Sequence, residues 1–221
     1  MPLKSSCLAH LTLFTTRYPD LKSLAHTLER STELICACTR AGGKVLTCGN
    51  GGSASDSEHI AGELVKSFIL PRPIGGADAL KLKSSGIVGA EAMAAKLQRG
   101  VAAISLTSNA AVMTAVANDT NADMIFAQQV YALGKPGDVL LALSTSGNSP
   151  NVVSAMKVAR AFGLKTIGFT GSKPAALDEL SDVLIKVPET ETYKIQECHF
   201  PMYHTLCLMI EEELFGAALG S

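Results

Sequence analysis

Short apolar runs alternate with helical segments along most of this chain, and this order constrains the fold more than any other feature. Five runs rich in Leu or β-branched residues are bounded by Gly, Asp, Ser or Thr, which is typical of buried strands. They are Lys44–Cys48, Ala102–Leu106, Asp138–Leu143, Lys165–Phe169 and Val183–Val187. Strands that alternate with helices form a parallel sheet covered on both faces. The sequence therefore predicts an α/β fold, a three-layer αβα sandwich around a five-stranded parallel sheet.

The helical segments between and around these runs complete the prediction. They are Ala54–Phe68, Asn109–Ala117, Met124–Leu133, Pro150–Phe162 and Tyr193–Phe215. An extra N-terminal helix, Leu21–Arg40, precedes the first strand within a helical segment over residues 1–42. A length of 221 residues suits one large domain, 1–221, with a substantial core.

One stretch, about residues 70–100, does not follow the alternation. It begins with prolines and glycines and is too long for an ordinary connection, so it predicts an excursion from the sheet. The excursion is either ordered, as a lid or an inserted helix, or partly disordered. We favour an ordered excursion because Gly89–Leu97 can form a helix.

Composition and charge exclude several classes of protein. The net charge is −1 and the basic residues are scattered, so the basic patch that nucleic acid or an anionic membrane would require is missing. The apolar stretch in residues 1–10 is too short for a signal peptide, and no later run would span a bilayer. We expect a cytoplasmic protein that binds neither membrane nor nucleic acid.

The six cysteines lack the dense spacing of a disulfide scaffold, so we expect reduced thiols. Cys36 and Cys38 resemble a small metal or redox motif. Positions two apart on a helix point in different directions, however, and free Cys is commonly buried. We interpret both as small core side chains.

A glycine-rich turn follows the first predicted strand and begins a helix. The turn, Gly49-Asn50-Gly51-Gly52-Ser53, lies where free backbone N–H groups and the helix dipole attract phosphate. On the helix itself, His59 and Glu63 are four residues apart and share a face. One short segment thus combines an anion site with a possible acid/base pair.

A second turn of this kind, Ser144-Thr145-Ser146-Gly147-Asn148-Ser149, follows the third predicted strand, and Pro150 then begins a helix. Hydroxyls and backbone N–H groups can surround a phosphate here. Simple helix capping would explain one such turn, but two after parallel strands favour binding at the carboxyl ends of the sheet. Neither turn fits a nucleotide fingerprint, so we expect a phosphorylated small metabolite and no nucleotide cofactor.

The last helix carries polar residues on an otherwise apolar pattern. Gln196 and His204 are eight residues apart, which places both within one broad stripe. Taken alone, His204 would be interpreted as a hydrogen-bonded core histidine, and we interpret His199 as structural. The sequence by itself leaves the function of His204 open.

Together these motifs resemble the sugar isomerase (SIS) domain family and, within it, the phosphoheptose isomerases. The resemblance runs from about Leu21 to Phe215. It is carried by Cys48–Ser53, His59 with Glu63, Ala117-Asn118-Asp119, Gly137–Leu140 leading into Ser144–Ser149, and Ile195-Gln196-Glu197 with His204. The resemblance implies a flavodoxin-like fold and the interconversion of sedoheptulose 7-phosphate and D-glycero-D-manno-heptose 7-phosphate. It also implies a homotetramer with active sites built between subunits.

The resemblance assigns roles to individual residues. Glu63 and His204 would be the catalytic acid/base pair. The substrate contacts would be Asn50, Gly51, Gly52, Ser53, Asn118, Asp119, Ser144, Thr145, Ser146, Ser149 and Gln196, with Ser53 and the Ser144–Ser149 loop on phosphate and with Asn50 and Asp119 on sugar. Some family members bind Zn²⁺ through the positions of His59, Glu63, Gln196 and His204.

The chemistry fits these residue types independently. Aldose–ketose isomerisation moves a proton between adjacent carbons through an enediol, which requires a base at carbon and a proton donor at oxygen. A metal could polarise the carbonyl instead of the histidine or beside it. The two roles of Glu63 conflict, since a metal-bound carboxylate is a weaker base, and Gln is an unusual zinc ligand. We therefore predict that Glu63 and His204 are the catalytic pair, with or without a metal.

Three departures from the family pattern bear on the substrate. Ser67, beside Lys66, stands where the family usually has an arginine, Tyr193 stands where it has an acidic residue, and the stretch around 75–100 is longer. Two alternatives follow. One is a non-catalytic SIS regulator that binds a phosphosugar or docks on a partner, and the other is an isomerase of a different phosphosugar.

Overall fold

A computed structural model describes residues 2–216 and contains one sheet of five parallel strands in the order β2-β1-β3-β4-β5. The strands are β1 (Val45–Gly49), β2 (Ala103–Ser105), β3 (Val139–Leu143), β4 (Lys165–Thr170) and β5 (Val183–Lys186). All five predicted strands are present, and each end agrees with the prediction or differs from it by one residue. The predicted α/β class and the parallel sheet are confirmed.

Most of the helices cover the two faces of this sheet. The helices are α1 (Ser5–Arg17), α2 (Ala25–Arg40), α3 (Gly52–Val65), α4 (Gly76–Lys83), α5 (Ala90–Lys96), α6 (Ala110–Asp119), α7 (Ile125–Leu133), α8 (Pro150–Ala161), α9 (Leu177–Leu180) and α10 (Thr192–Phe215). Successive side chains of a strand point to opposite faces, and β1 shows this directly. Val45 packs in the core with α1, α2, α3 and α10, whereas Leu46 and Cys48 pack in the core with α7, α8 and α9. The three-layer sandwich follows from this alternation.

The N-terminal segment differs from the single helix predicted. Helix α1 lies in the predicted helical segment 1–42 but was not predicted as a separate helix, and the predicted helix Leu21–Arg40 begins as a 3₁₀ turn over Pro19–Leu24 before α2. Only two residues of α1, Cys7 and Phe14, are buried, so its apolar pattern is too sparse to recognise in the sequence. The helix is held by contact with α10 rather than by its own periodicity.

Helix α3 ends at Val65, three residues before the predicted end at Phe68. The backbone N–H groups of residues 68, 69 and 70 donate to the Glu211 carboxylate instead of to helical carbonyls. Arg72 in turn donates to the carbonyl oxygens of Leu64 and Glu63 at 3.1 and 3.0 Å. A carboxylate from α10 and a guanidinium therefore end the helix, and neither could be recognised from local sequence.

The excursion over residues 70–100 contains α4 and α5, and its two ends meet. The N–H of Arg99 donates to the carbonyl of Arg72 at 2.7 Å, and the N–H of Ser67 donates to the Gln98 side chain at 2.9 Å. Between these contacts the excursion exposes apolar side chains such as Leu80 and Val88. Its base is closed while its far end faces solvent.

Helix α10 has 24 residues and includes Pro201 at its tenth position. The proline is therefore well inside the helix rather than in its first turn. Among residues 2–216, no helix, α10 included, combines the length and apolar character needed to cross a membrane.

The imidazole of His199 is completely buried in α10, against the ring of Phe169 and 3.4 Å from the Thr170 carbonyl. Burial lowers its pKa to about 4, although the Thr170 contact acts in the opposite direction. In the unfolded chain the imidazole has a pKa of about 6.5. The stability that the buried neutral ring contributes is therefore fully present above that pH, and it is lost as the pH falls toward the folded pKa.

We therefore expect the free energy of unfolding to fall by about 2 kcal/mol between pH 7 and pH 5 through this residue. Urea denaturation at the two pH values measures the loss. His199→Gln should remove most of the difference in the free energy of unfolding between the two pH values, because the Gln side chain does not bind a proton in this range. An unchanged pH dependence in this variant would assign the effect to other groups.

Candidate active site

The two glycine- and serine-rich turns lie side by side at the carboxyl edge of the sheet. Strand β1 pairs directly with β3, with Gly49 opposite Leu143, and the turns begin at these residues. Because β2 lies on the other side of β1, the strand order reverses between β1 and β3, where open α/β sheets bind ligands. The predicted neighbourhood of the two turns is present.

A cavity of about 290 Å³ joins these turns. It is lined by Asn50, Gly51, Gly52, Ser53, Leu143, Ser144, Thr145, Ser149, Thr192 and Gln196, none of which is charged. Helices α3 and α8 begin beside it, so their free N–H groups can meet an anion there. Ser144 Oγ is 3.0 Å from Ser149 Oγ, which gathers hydroxyl donors in the same space. The cavity suits a tetrahedral anion bound without a lysine or arginine.

Gly147 gives the second turn its shape. Its φ is +64°, and an added Cβ would lie 2.4 Å from Ala175 Cβ and 2.7 Å from Thr170 Oγ1. We expect Gly147→Ala to distort the turn and to raise KM for a phosphorylated ligand about tenfold or more. A tenfold change corresponds to a loss of ~1.4 kcal/mol of binding free energy. Steady-state kinetics measures the change.

Gly137→Ala is the matched control, since Gly137 also has a positive φ of +89° but has open space around its Cβ position. It carries the backbone strain of the left-handed region without the clash. An equal KM increase in both variants would show that general strain, and not the shape of the turn, is responsible.

The side chain of Asn50 links the two turns. Asn50 and Asn151 exchange reciprocal amide hydrogen bonds of 2.8 and 2.9 Å, which join the α3 turn to the first residues of α8. A sugar contact by Asn50, as predicted, would use the carbonyl lone pair and the amide proton that this pairing leaves unused.

The predicted acid/base residues lie where α3 packs on α10. His59 Nε2 is 3.2 Å from Glu63 Oε1, and Lys66 Nζ is 2.7 Å from Glu63 Oε2. The Glu63 side chain is 12% exposed, so most of it is shielded from solvent. One carboxylate is therefore oriented by an imidazole from its own helix and by an ammonium from the residue that follows that helix.

The His204 side chain on α10 packs against His59 of α3. Its ring centroid is 4.9 Å from that of His59, 4.2 Å from that of Phe200 and 5.6 Å from that of Phe68. Burial lowers its pKa, as does neighbouring His59, while Glu63 opposes them. The ring is therefore mostly neutral at pH 7, a form that can both accept and donate a proton. Within residues 2–216 its Nε2 is buried and has no hydrogen-bond partner.

The four predicted zinc ligands do not form a ligand set in this arrangement. Within residues 2–216, no group of three or more His, Cys, Asp or Glu side chains has the geometry to hold a metal ion. Lys66 occupies one oxygen of Glu63. The Gln196 amide lies against Gly52, where an added Cβ would be 2.5 Å from Nε2. His59 and Glu63 are adjacent, but the donors as a group do not fit a zinc site.

The remaining predicted contacts divide into two groups. Ser53, Ser144, Thr145, Ser149 and Gln196 line the cavity between the turns, while Ser146 lies beside it, 3.5 Å from Ser144 Oγ. Asn118 and Asp119 lie at the end of α6, where both are exposed and the Asn118 amide donates to Asp119 at 2.8 Å. These two do not line that cavity in a single chain.

Sequence reasoning missed two residues of this region, Asp56 and Tyr203. Asp56 lies three residues before His59 on α3, and Tyr203 precedes His204 on α10. The Tyr203 hydroxyl donates to Asp56 Oδ1 at 3.1 Å and lies 3.3 Å from His59 Nδ1. Helical spacing from His59 could have indicated Asp56, but the contact with Tyr203 depends on how α3 packs on α10.

Comparison with known proteins identifies relatives of this chain. A family model described as SIS domain matches residues 17–102 and 85–171. The phosphoheptose isomerase of Burkholderia pseudomallei is 38% identical over 193 residues, which covers 87% of this chain and 85% of that protein.

Two solved structures agree with this match. The phosphoheptose isomerase of Neisseria gonorrhoeae has a TM-score of 0.71 at 32% identity and covers 92% of this chain and 96% of its own. That of Francisella tularensis has a TM-score of 0.73 at 31% identity, with 89% and 91% covered.

Proposed function

Since this chain belongs to the SIS domain family, we propose that it is an aldose–ketose isomerase that interconverts sedoheptulose 7-phosphate and D-glycero-D-manno-heptose 7-phosphate. The observation that carries the proposal is the pairing of Glu63 and His204 on facing helices that also lead to an uncharged anion cavity. A carboxylate, a neutral imidazole and a phosphate site are the parts that this reaction requires.

In the proposed mechanism, Glu63 removes the proton from the carbon next to the carbonyl, and His204 donates a proton to the carbonyl oxygen. The product of this step is the enediol. Glu63 then returns its proton to the adjacent carbon, while His204 recovers one from the other hydroxyl. No net oxidation occurs, since one carbon is oxidised as its neighbour is reduced.

The spacing along the helices supports a long sugar phosphate. Glu63 follows Ser53 by ten residues of α3, a rise of about 15 Å, and His204 follows Gln196 by eight residues of α10, about 12 Å. A ligand with its phosphate in the cavity must extend along both helices to reach the acid/base pair. A longer sugar phosphate suits this arrangement better than a triose phosphate.

The proposed enzyme is a homotetramer with active sites between subunits. The position of Asn118 and Asp119, exposed at the end of α6 and away from the cavity, supports a sugar contact delivered to a neighbouring subunit. Light scattering of the purified protein tests the assembly. We also propose a single domain over residues 1–221 and a cytoplasmic location, which the six free thiols support.

Zinc remains a prediction. Binding through His59, Glu63, Gln196 and His204 would require Lys66 to leave Glu63 and the Gln196 amide to leave Gly52. The proposed mechanism uses no metal, and elemental analysis of the purified protein tests the prediction directly.

A substrate panel tests the function. We expect purified protein to equilibrate sedoheptulose 7-phosphate with its aldose isomer, and to have a lower kcat/KM for pentose and hexose phosphates because they do not span the same distance. NMR of the sugar signals measures turnover. A higher kcat/KM for another phosphosugar would identify that sugar as the substrate. Tight binding of one sugar without turnover of any would favour a non-catalytic regulator.

A further inference from the structure

A groove between α3 and α10 adjoins the anion cavity. It has a volume of about 400 Å³ and is lined by Gly52, Asp56, Gln196, Glu197 and Phe200. Gly52 and Gln196 also line the anion cavity, so the two spaces share a wall. At the other end of the groove, the ring of Phe200 packs against that of His204. A ligand that reaches from the anion cavity to His204 must therefore run through this groove.

Phe200 lies midway along this path. Thr192, Gln196, Phe200 and His204 follow one another at intervals of four residues on α10, so they form one stripe that turns slowly around the helix. The first two line the anion cavity, and His204 is the proposed proton donor. Each interval rises about 6 Å along the helix, so Phe200 is one interval from Gln196 and one from His204.

Packing within the chain leaves much of the Phe200 ring uncovered. The ring contacts those of His59, Tyr203 and His204 at 6.1, 5.4 and 4.2 Å between centroids. The residue nevertheless remains 48% exposed. Contacts from both α3 and α10 hold the ring in place, while its exposed part lines the groove. Aromatic side chains held in this way commonly form the apolar walls of ligand sites.

The rest of the groove is polar and suits a chain of hydroxyl groups. Asp56 and Glu197 supply carboxylates, which accept hydrogen bonds when ionised. None of the five lining residues is basic, so a second anionic group on the ligand would meet only like charges there. A sugar chain has hydroxyl groups that donate to carboxylates and C–H groups that pack on an aromatic face. The groove therefore fits the uncharged carbon chain of a monophosphorylated sugar.

We propose that this groove is the subsite for the carbon chain of the sugar phosphate and that Phe200 is its specificity-determining residue, with the ring stacked against the C–H groups of the chain. The identity of the ligand rests on the proposed isomerase function. Phe200 adds affinity only for ligands whose chain runs past the ring. Inorganic phosphate, which occupies the anion cavity alone, gains nothing from it.

Phe200→Leu tests the proposal, because leucine is apolar but has no aromatic face. We place it in the Glu63→Gln background, so that bound sugar is not converted, and measure dissociation constants by ³¹P NMR titration. We expect the Kd of sedoheptulose 7-phosphate to rise about threefold to tenfold, the loss typical of one aromatic contact, and the Kd of inorganic phosphate to stay unchanged. Phe200→Tyr keeps the ring and should bind both ligands as the parent protein does.

Phe162→Leu is the matched control, since Phe162 is 50% exposed and packs on Tyr131 rather than in the groove. An unchanged Kd for the sugar in Phe200→Leu would overturn the proposal, as would equal losses for the sugar and for phosphate or an equal loss in Phe162→Leu. A parent protein that binds the sugar no more tightly than phosphate would also overturn it. If light scattering shows that Phe200→Leu breaks an oligomer apart, the exposed ring belongs to a subunit interface and the proposal is wrong.

The wild-type protein separates this proposal from the proposed function. Binding of sedoheptulose 7-phosphate without any turnover would overturn the isomerase function. The same result would leave the subsite in place, provided that Phe200→Leu still weakens binding of the sugar and not of inorganic phosphate.

Discussion

Glu63→Gln is expected to lower kcat by about 10²–10⁴-fold while the protein stays folded, because a positioned general base contributes a factor of this size. The amide is almost isosteric with the carboxylate, and its single oxygen can still accept from Lys66 while its NH₂ group faces His59. It cannot take a proton from carbon. The assay with sedoheptulose 7-phosphate measures the loss, and circular dichroism verifies the fold.

KM should change little in this variant, since the proposed phosphate site is some 15 Å away along α3. Glu58→Gln is the matched control on the same helix, because Glu58 is exposed and accepts a hydrogen bond from Thr107 at 2.9 Å. We expect it to retain wild-type turnover. A fully active Glu63→Gln enzyme would exclude Glu63 as the base and leave the family assignment untouched.

Glu211→Ala is expected to destabilise the fold by about 3–5 kcal/mol, the usual result of breaking a buried ion pair from one side. Arg72 and Glu211 are 2% and 1% exposed, and Arg72 Nε donates to Glu211 Oε1 at 2.7 Å. Burial alone would raise the pKa of Glu211, but the backbone N–H groups of residues 68–70 and Arg72 outweigh it, and the pKa is lowered. Removal of the carboxylate leaves a buried guanidinium and three N–H groups without their acceptor.

Urea denaturation of the variant measures this loss. Arg30→Ala is the control, since Arg30 pairs with Glu33 at 3.4 Å in an exposed position, where ion pairs contribute about 0–1 kcal/mol. The double variant Arg72→Met/Glu211→Leu should be more stable than Glu211→Ala, because no buried charge remains unpaired. A loss of less than ~1 kcal/mol in Glu211→Ala would show that water replaces the carboxylate.

Much of the fold could be predicted because a central parallel strand is buried on both faces and must be apolar throughout. All residues of β1 and β3 are buried, and both strands are recognisable in the sequence. Features that depend on distant residues were not predictable. The end of α3 is determined by Glu211, 143 residues after Phe68, and α1 depends on its contact with α10.

The candidate site, too, has parts that the local sequence indicates and parts that depend on distant residues. Local signals indicated both turns, as well as His59 and Glu63 on one face of α3, and the structure places the ring of His59 against that of His204. The contact between Tyr203 and Asp56 joins positions 147 residues apart, and no local pattern indicates it. The pairing of Asn50 with Asn151 is similar, since it depends on β1 lying beside β3.

Because the base of the excursion is closed, its length can change without moving the rest of the molecule. Arg99 hydrogen-bonds to Arg72 and to Pro73, so the chain enters and leaves the excursion at nearly the same point. Under this geometry, added residues cost only the entropy of closing a longer loop, about 0.6 kcal/mol for each doubling of its length. Evolution can therefore lengthen or replace the segment between these contacts at little thermodynamic cost, and a foreign domain could be inserted there with the sheet and the acid/base helices in place.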